Sequence, residues 1–281
     1  MKFLTFIFFF ISSSVLHSQN LSPLEITQKF FGKDGFPEKN KYLCCDMKED
    51  IKSDSTIGQQ MPDSVEREFE VLYQDSIEAV TAVNLSLGKH KENWYIFFKK
   101  DTEWKIQAMR ALAMTGFAAK ILEQYENVSE DSLRKLDSLM LKATDTVPSK
   151  RINIRKFIMQ CRLELFSDKE LIQYFLDNKP AFTRLLNIYF EKFKGSENAQ
   201  ENFCKDPDII KALDSLNLHM FTYESRFESG TAENCFMIGG MLDNTFGFFY
   251  EKDKNKIPKI KKSGFIMIRE IGDGWYLYKT T

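Results

Sequence analysis

Histidine is scarce in this chain, with three in 281 residues. His17 falls in the first, apolar part. His90 lies in Gly88-Lys89-His90-Lys91 and His219 opens a strand-like run far downstream. Neither has a motif around it, and both are read as structural. HExxH, a Walker loop and GxSxG are also missing, so the metal, phosphate and acyl-transfer chemistry they carry is not expected, nor is any cofactor. Gly239-Gly240 is a lone pair between strand-like runs and reads as a turn or bulge. No charge sign is in surplus: 39 Lys and Arg face 40 Asp and Glu. A nucleic-acid binder is expected to carry a basic patch with aromatics interleaved. The densest basic stretch, 254–262, has no aromatic and reads as a solvated loop, so no nucleic acid is expected as a partner.

Long apolar runs are missing after residue 11. Lys2, the apolar run 3–11 and the small-residue stretch 12–18 follow the order of a secretory signal peptide, with a cut expected after Ser18. The run is too short for a membrane span, which needs roughly 20 apolar residues. The expected location is therefore periplasmic or extracellular, with no transmembrane segment after cleavage. No cysteine adjoins the apolar run, so a lipid anchor is not expected there. The five cysteines are Cys44, Cys45, Cys161, Cys204 and Cys235. An exported chain can pair them, and an odd count leaves at least one over. Cys204 with Cys235 is the preferred disulfide, because it would tie the start of the last helix to a strand of the same unit. Cys44-Cys45 lacks the nearby His or second Cys pair that a metal site needs, and Cys161 sits in an apolar run as a small buried residue.

What is present is a pair of Trp-bearing hairpins. Residues 264–279 place two β-branched and aromatic runs around Gly272-Asp273-Gly274, a turn that supplies positive φ. Phe265, Met267, Arg269 and Ile271 are expected on one face, opposite Ile266, Ile268 and Glu270; Trp275 and Leu277 oppose Tyr276 and Tyr278. Residues 94–109 repeat the pattern on a smaller scale, with Trp104 after an acidic turn. Ser22-Pro23-Leu24-Glu25 opens a helix with a capping box. Residues 65–73 fit helix or strand and are read as strand, followed by a β-rich run at 77–87. From Gly116 the period becomes helical, with a restart at Ser129 and a break at 144–150 around Pro148. Residues 152–166 fit strand or helix. Ser167-Asp168-Lys169-Glu170 opens another capped helix that Pro180 kinks or restarts. Asp206-Pro207 starts a last helix, and strand-like runs follow.

This order predicts an α+β protein of two units, each with helices on a curved antiparallel sheet. The boundaries are 1–18 for the signal, 19–115 for the first unit, 116–150 for a helical connector and 151–281 for the second unit. Such a sheet can enclose an apolar pocket in which a carboxylate is held neutral. The candidate carboxylates are Glu103, Glu224, Glu228, Glu251 and Glu270. The candidate pocket-lining aromatics are Trp94, Phe97, Trp104, Phe246 and Phe248, in runs that also hold Tyr95, Phe98, Phe249 and Tyr250. Alternating strand spacing fits ordinary core equally well.

The first unit resembles the NTF2-like (cystatin-like, SnoaL-type) family. The resemblance rests on the helix at 22–31 and on Trp94-Tyr-Ile-Phe-Phe-Lys-Lys-Asp-Thr-Glu-Trp104-Lys-Ile106, which is similar to that family's strand, acidic turn and Trp-Lys-Ile ending. It covers about a third of the chain. It implies a curved sheet with a pocket used for small-molecule binding, isomerase chemistry or protein association. No catalytic Asp/His arrangement of the family matches here, so none is carried over. With its Phe-rich leader the chain also resembles exported bacterial envelope proteins. The expected function is non-enzymatic binding of a small ligand or a protein partner in the envelope. The alternatives are a pocket isomerase or dehydratase using one carboxylate, and a structural or assembly protein of the envelope.

Overall fold

A computed structural model describes residues 20–45, 47–51, 53–88, 90–113, 115–125, 127–143, 153–227, 230–241 and 244–281. The expected signal peptide and the whole of the break at 144–150 lie outside the described residues. The chain is α+β, with two antiparallel sheets.

The first sheet is a meander of β1 (Glu66–Gln74), β2 (Glu78–Leu87), β3 (His90–Lys100) and β4 (Trp104–Arg110). It is covered on both sides, which explains why residues 79–83 of β2 are all buried rather than alternately buried and exposed. On one side lies α1 (Pro23–Phe31). Ser22 caps it, and Glu25 returns the bond to the Ser22 backbone, as the sequence predicts. Ile26, Phe30 and Phe31 of α1 pack on Ala79, Val83, Ile96, Phe98 and Ile106. Inside this contact the Thr27 hydroxyl donates to the Pro23 carbonyl at 2.8 Å and meets the Thr81 hydroxyl at 2.7 Å, so both buried groups are satisfied. Two single-turn helices, α2 (Met47–Asp50) and α3 (Ile57–Gln60), lie in the polar stretch between α1 and β1.

Helices α4 (Thr115–Tyr125) and α5 (Glu130–Ala143) follow. The ambiguous stretch 152–166 is a helix, α6 (Ile154–Glu164), with the Asn153 side chain accepting from the Lys156 N–H. After three residues α7 (Asp168–Ile188) begins with the expected capping box of Ser167 and Glu170. It runs through Pro180 as one helix, although proline cannot donate to the Leu176 carbonyl. A wider π-helical turn at Tyr189–Phe193 ends it. Then come α8 (Ala199–Lys205), which the sequence reading missed, and α9 (Pro207–Ser215), capped by Asp206.

The second sheet has the order β5-β6-β7-β9-β8, from β5 (Met220–Phe227), β6 (Gly230–Met241), β7 (Asn244–Tyr250), β8 (Phe265–Gly272) and β9 (Trp275–Thr280). The β8–β9 hairpin turns at Asp273, φ 54°, as its Gly-Asp-Gly turn requires. One expectation is corrected here. A β-bulge between Phe265 and Met267 turns Phe265 away from Met267, Arg269 and Ile271 and onto the opposite face. The inner face carries Phe221, Phe236, Phe246, Phe248, Trp275 and Leu277 against Phe175, Phe182 and Leu186 of α7. The same core takes in Val80, Ala82, Tyr95 and Phe97 from the first sheet, so the two expected units share a hydrophobic interior.

Candidate functional site

The corner between α6 and α7 is where both sheets meet charged side chains. Asp168 is the first residue of α7, where the positive end of the helix dipole favours a carboxylate. It is 2 % exposed. Lys279 reaches Oδ1 at 2.7 Å, the Arg269 Nε donates to Oδ2 at 2.7 Å, and the Tyr95 hydroxyl donates to the same carboxylate at 3.0 Å. Arg269 then forks onto Glu70, with Nη1 to Oε2 at 2.9 Å and Nη2 to Oε1. Two anions and two cations from β1, α7, β8 and β9 thus balance, and Tyr95 adds β3. Burial alone would raise the Asp168 pKa, but the Lys279 and Arg269 charges and their hydrogen bonds outweigh it and hold the carboxyl below its usual value. Burial pushes the Tyr95 hydroxyl well up, and the Asp168 charge adds to this. Every member has a partner. This is a latch between sheets rather than a reactive centre.

Glu164, the last residue of α6, lies just before it and behaves differently. It is half-buried, and no cation among the described residues pairs with it. Desolvation pushes its carboxyl up from 4.5 to about 7. It lines a cleft of about 160 Å³ with Lys91, Trp94, Leu112, Thr115 and Lys279. The two lysines are already committed: Lys91 lies 2.5 Å from Glu170 and Lys279 2.7 Å from Asp168. Trp94 is half-buried, with its indole N–H donating to Glu92 at 3.0 Å and its ring against Phe31. Two broader recesses flank the outer side of α7, around Lys179, Thr183 and Asn187; both are open to solvent.

Of the five aromatics expected to line a pocket, Trp94 alone reaches this cleft. Phe97, Phe246 and Phe248 are filled-in core, because α7 drives Phe175 and Phe182 against the inner face of the second sheet, with ring centroids 4.9 and 5.3 Å from Phe248. Trp104 is buried on the α1 side of the first sheet under Lys100. The candidate carboxylates among the described residues do not line this cleft either. Glu103 pairs with Lys41 at 2.7 Å, Glu270 with Lys254 at 3.3 Å, and Glu251 accepts from the Asp253 N–H. Glu224 is exposed, and Glu228 lies outside the described residues. Cys204 packs toward the inner core and Cys235 sits in the cluster on the other face of the sheet, so the preferred disulfide partners do not face each other.

Asp168 was legible only as part of a capping box, and Glu164 was missed. Lys279 and Arg269 did carry a signal: strand alternation puts them on the faces of Leu277 and Met267, where a charge needs a partner. No group of three or more His, Cys, Asp and Glu among the described residues could hold a metal ion, and no helix among them is long and apolar enough to cross a membrane. Comparison with protein-family models, with curated proteins and with solved structures gives no match.

Proposed function

We infer that the chain acts by binding, as an exported protein whose ligand site is the cleft beside Trp94, and that the ligand is a small organic cation. The observation that carries this is the Glu164 carboxyl, desolvated and without a counter-ion in a recess with an aromatic wall. A cation entering there would supply the charge that burial leaves uncompensated, and the Trp94 face would add a cation–π contact. The volume corresponds to about five water molecules, enough for a methylated amine and too small for a nucleotide. Export rests on the leader at 1–18, and the NTF2-like likeness of 19–115 belongs to the same reading. In that likeness the pocket would lie between sheet and helix. Phe30, Phe31 and Ile106 fill that space here, and the cleft lies beside it, where Trp94 packs against Phe31.

Tetramethylammonium titrated into the mature chain at pH 8.5 and pH 5, followed by calorimetry, tests this. Binding is expected at pH 8.5, with Glu164 ionised, and at least tenfold weaker at pH 5 and in Glu164→Gln. Equal affinity in all three, or none at pH 8.5, rejects the site. The enzymatic alternative draws on the same residue, since a carboxyl with a pKa of about 7 suits a general base. It requires turnover of a ketone or hydroxy acid with a pH–rate limb near 7 that Glu164→Gln removes.

A further inference from the structure

Neighbouring residues in an extended chain turn their side chains to opposite sides. Cys44 and Cys45 do not. Leu43 forms a parallel bridge to Ile106 of β4, and the next N–H, that of Cys44, donates to the Ile106 carbonyl at 3.0 Å. Cys44 is thereby fixed against the sheet edge, with its thiol 3.5 Å from the same carbonyl. At Cys45 the chain reverses into the left-handed region, φ 56°, a conformation that costs a non-glycine residue about 1 kcal/mol. The reversal brings the two Sγ atoms to 3.3 Å, with Cys44 half-buried and Cys45 exposed.

We propose that Cys44 and Cys45 form a redox modification site that small disulfide compounds close into a bond between the two neighbours and that thiols reopen. The Cys45 thiolate attacks one sulfur of an incoming disulfide RSSR, forming Cys45–S–S–R and releasing RS⁻. Cys44 then loses its proton to solvent and attacks the Cys45 sulfur, so that the Cys44–Cys45 bond forms and a second RS⁻ leaves. The two cysteines give up two electrons, RSSR is reduced to two thiols, and the two cysteine protons end on those thiols. Burial first, and then Cys45 beside it, push the Cys44 thiol up to about 11, which makes ring closure the slow step at neutral pH. Cα atoms joined by a trans peptide lie about 3.8 Å apart, short of the roughly 4.4–6.8 Å usual between disulfide partners. The closed ring is strained for that reason, and strained, exposed disulfides are the readily reduced ones. The pair is therefore a reversible site rather than a permanent staple, and it stands whether or not the cleft takes a ligand.

Oxidised glutathione added to the purified, reduced mature chain, followed by alkylation in denaturant and peptide mass mapping, tests this. The peptide carrying Cys44 and Cys45 is expected to lose two hydrogens and take no alkyl label, while Cys161 takes the label. Closure should accelerate close to tenfold per pH unit from 7 to 9. Cys44→Ser should stop at a glutathione adduct on Cys45, and excess dithiothreitol should restore both thiols in the wild type. A lasting adduct on wild-type Cys45, a bond from either residue to another cysteine or a second chain, or two unchanged thiols after prolonged exposure would overturn the proposal.

Discussion

Asp168 and Lys279 make a 2.7 Å ion pair with their side chains 3 % and 2 % exposed. Two charges removed from water to this degree are stable only together, because either alone keeps its desolvation penalty and loses its counter-charge. Lys279→Met leaves Asp168 with Arg269 and Tyr95, and Asp168→Leu removes the carboxylate that Lys279 pairs with among the described residues. Each is expected to cost about 3–5 kcal/mol in urea unfolding. The double variant should cost clearly less than the sum, because no bare charge remains. Strict additivity would mean that the pair does not act as a unit.

The two carboxyls at the α6–α7 corner predict opposite pH responses. Asp168 has a folded-state pKa below its unfolded one, so its contribution is present above pH 4 and is lost as the pH falls through the folded value. Glu164 has a folded pKa of about 7 against an ordinary 4.5. The folded state holds its proton through that window while the unfolded state releases it, so stability declines as pH rises from 4.5 to 7. The loss is on the order of 1–3 kcal/mol after allowance for its partial exposure. Urea midpoints at pH 5 and pH 7.5 should fall with pH in the wild type by more than in Glu164→Gln, whose amide does not titrate. Parallel shifts in the two proteins would mean that Glu164 is not the titrating group.

Elements set by neighbouring residues were legible in the sequence. The boxes Ser22/Glu25 and Ser167/Glu170 announce α1 and α7, and Gly272-Asp273-Gly274 announces the last hairpin. Residues 152–166 were ambiguous because their period alone does not distinguish the two states; the Asn153 cap and the three-residue link to α7 settle it as helix. Helix α8 is only seven residues long, too short for a periodic stripe to stand out. The cleft was not legible. The desolvation of Glu164 depends on Trp94 and Leu112 arriving from far upstream, and nothing in the local sequence of α6 encodes that meeting.

Gly58 is predicted to be intolerant of any side chain. It sits in α3, whose single turn packs on the end of α1. A Cβ there would fall 2.1 Å from the Gly32 carbonyl oxygen and 2.3 Å from the Phe31 carbonyl carbon. Both are backbone atoms, so no side chain can move aside. Gly58→Ala should push α3 off α1 and cost about 1–3 kcal/mol, read as a lower thermal midpoint with the secondary structure retained by circular dichroism. Gly116→Ala, where a Cβ meets nothing within 4 Å, is the matched control and should leave the midpoint within a degree or two.

Phe175 and Trp94 separate what holds the fold from what forms the cleft. The Phe175 ring is fully buried, with centroids of Phe182, Phe248 and Trp275 at 5.0, 4.9 and 5.0 Å. Phe175→Ala opens a cavity that three aromatic rings cannot close and should cost about 3–5 kcal/mol. Trp94 is half-buried and touches Phe31 edge-on, so Trp94→Phe keeps most of its packing and should cost about 1 kcal/mol or less. Its effect belongs in the cleft. Of the three tryptophans, Trp104 and Trp275 are buried in core clusters, and Trp94 shares a recess with Glu164. Tryptophan emission should therefore titrate with a midpoint near pH 7 as Glu164 ionises, and Trp94→Phe and Glu164→Gln should each abolish that step while Phe175→Leu keeps it. A step that survives in Trp94→Phe would place the titrating group elsewhere.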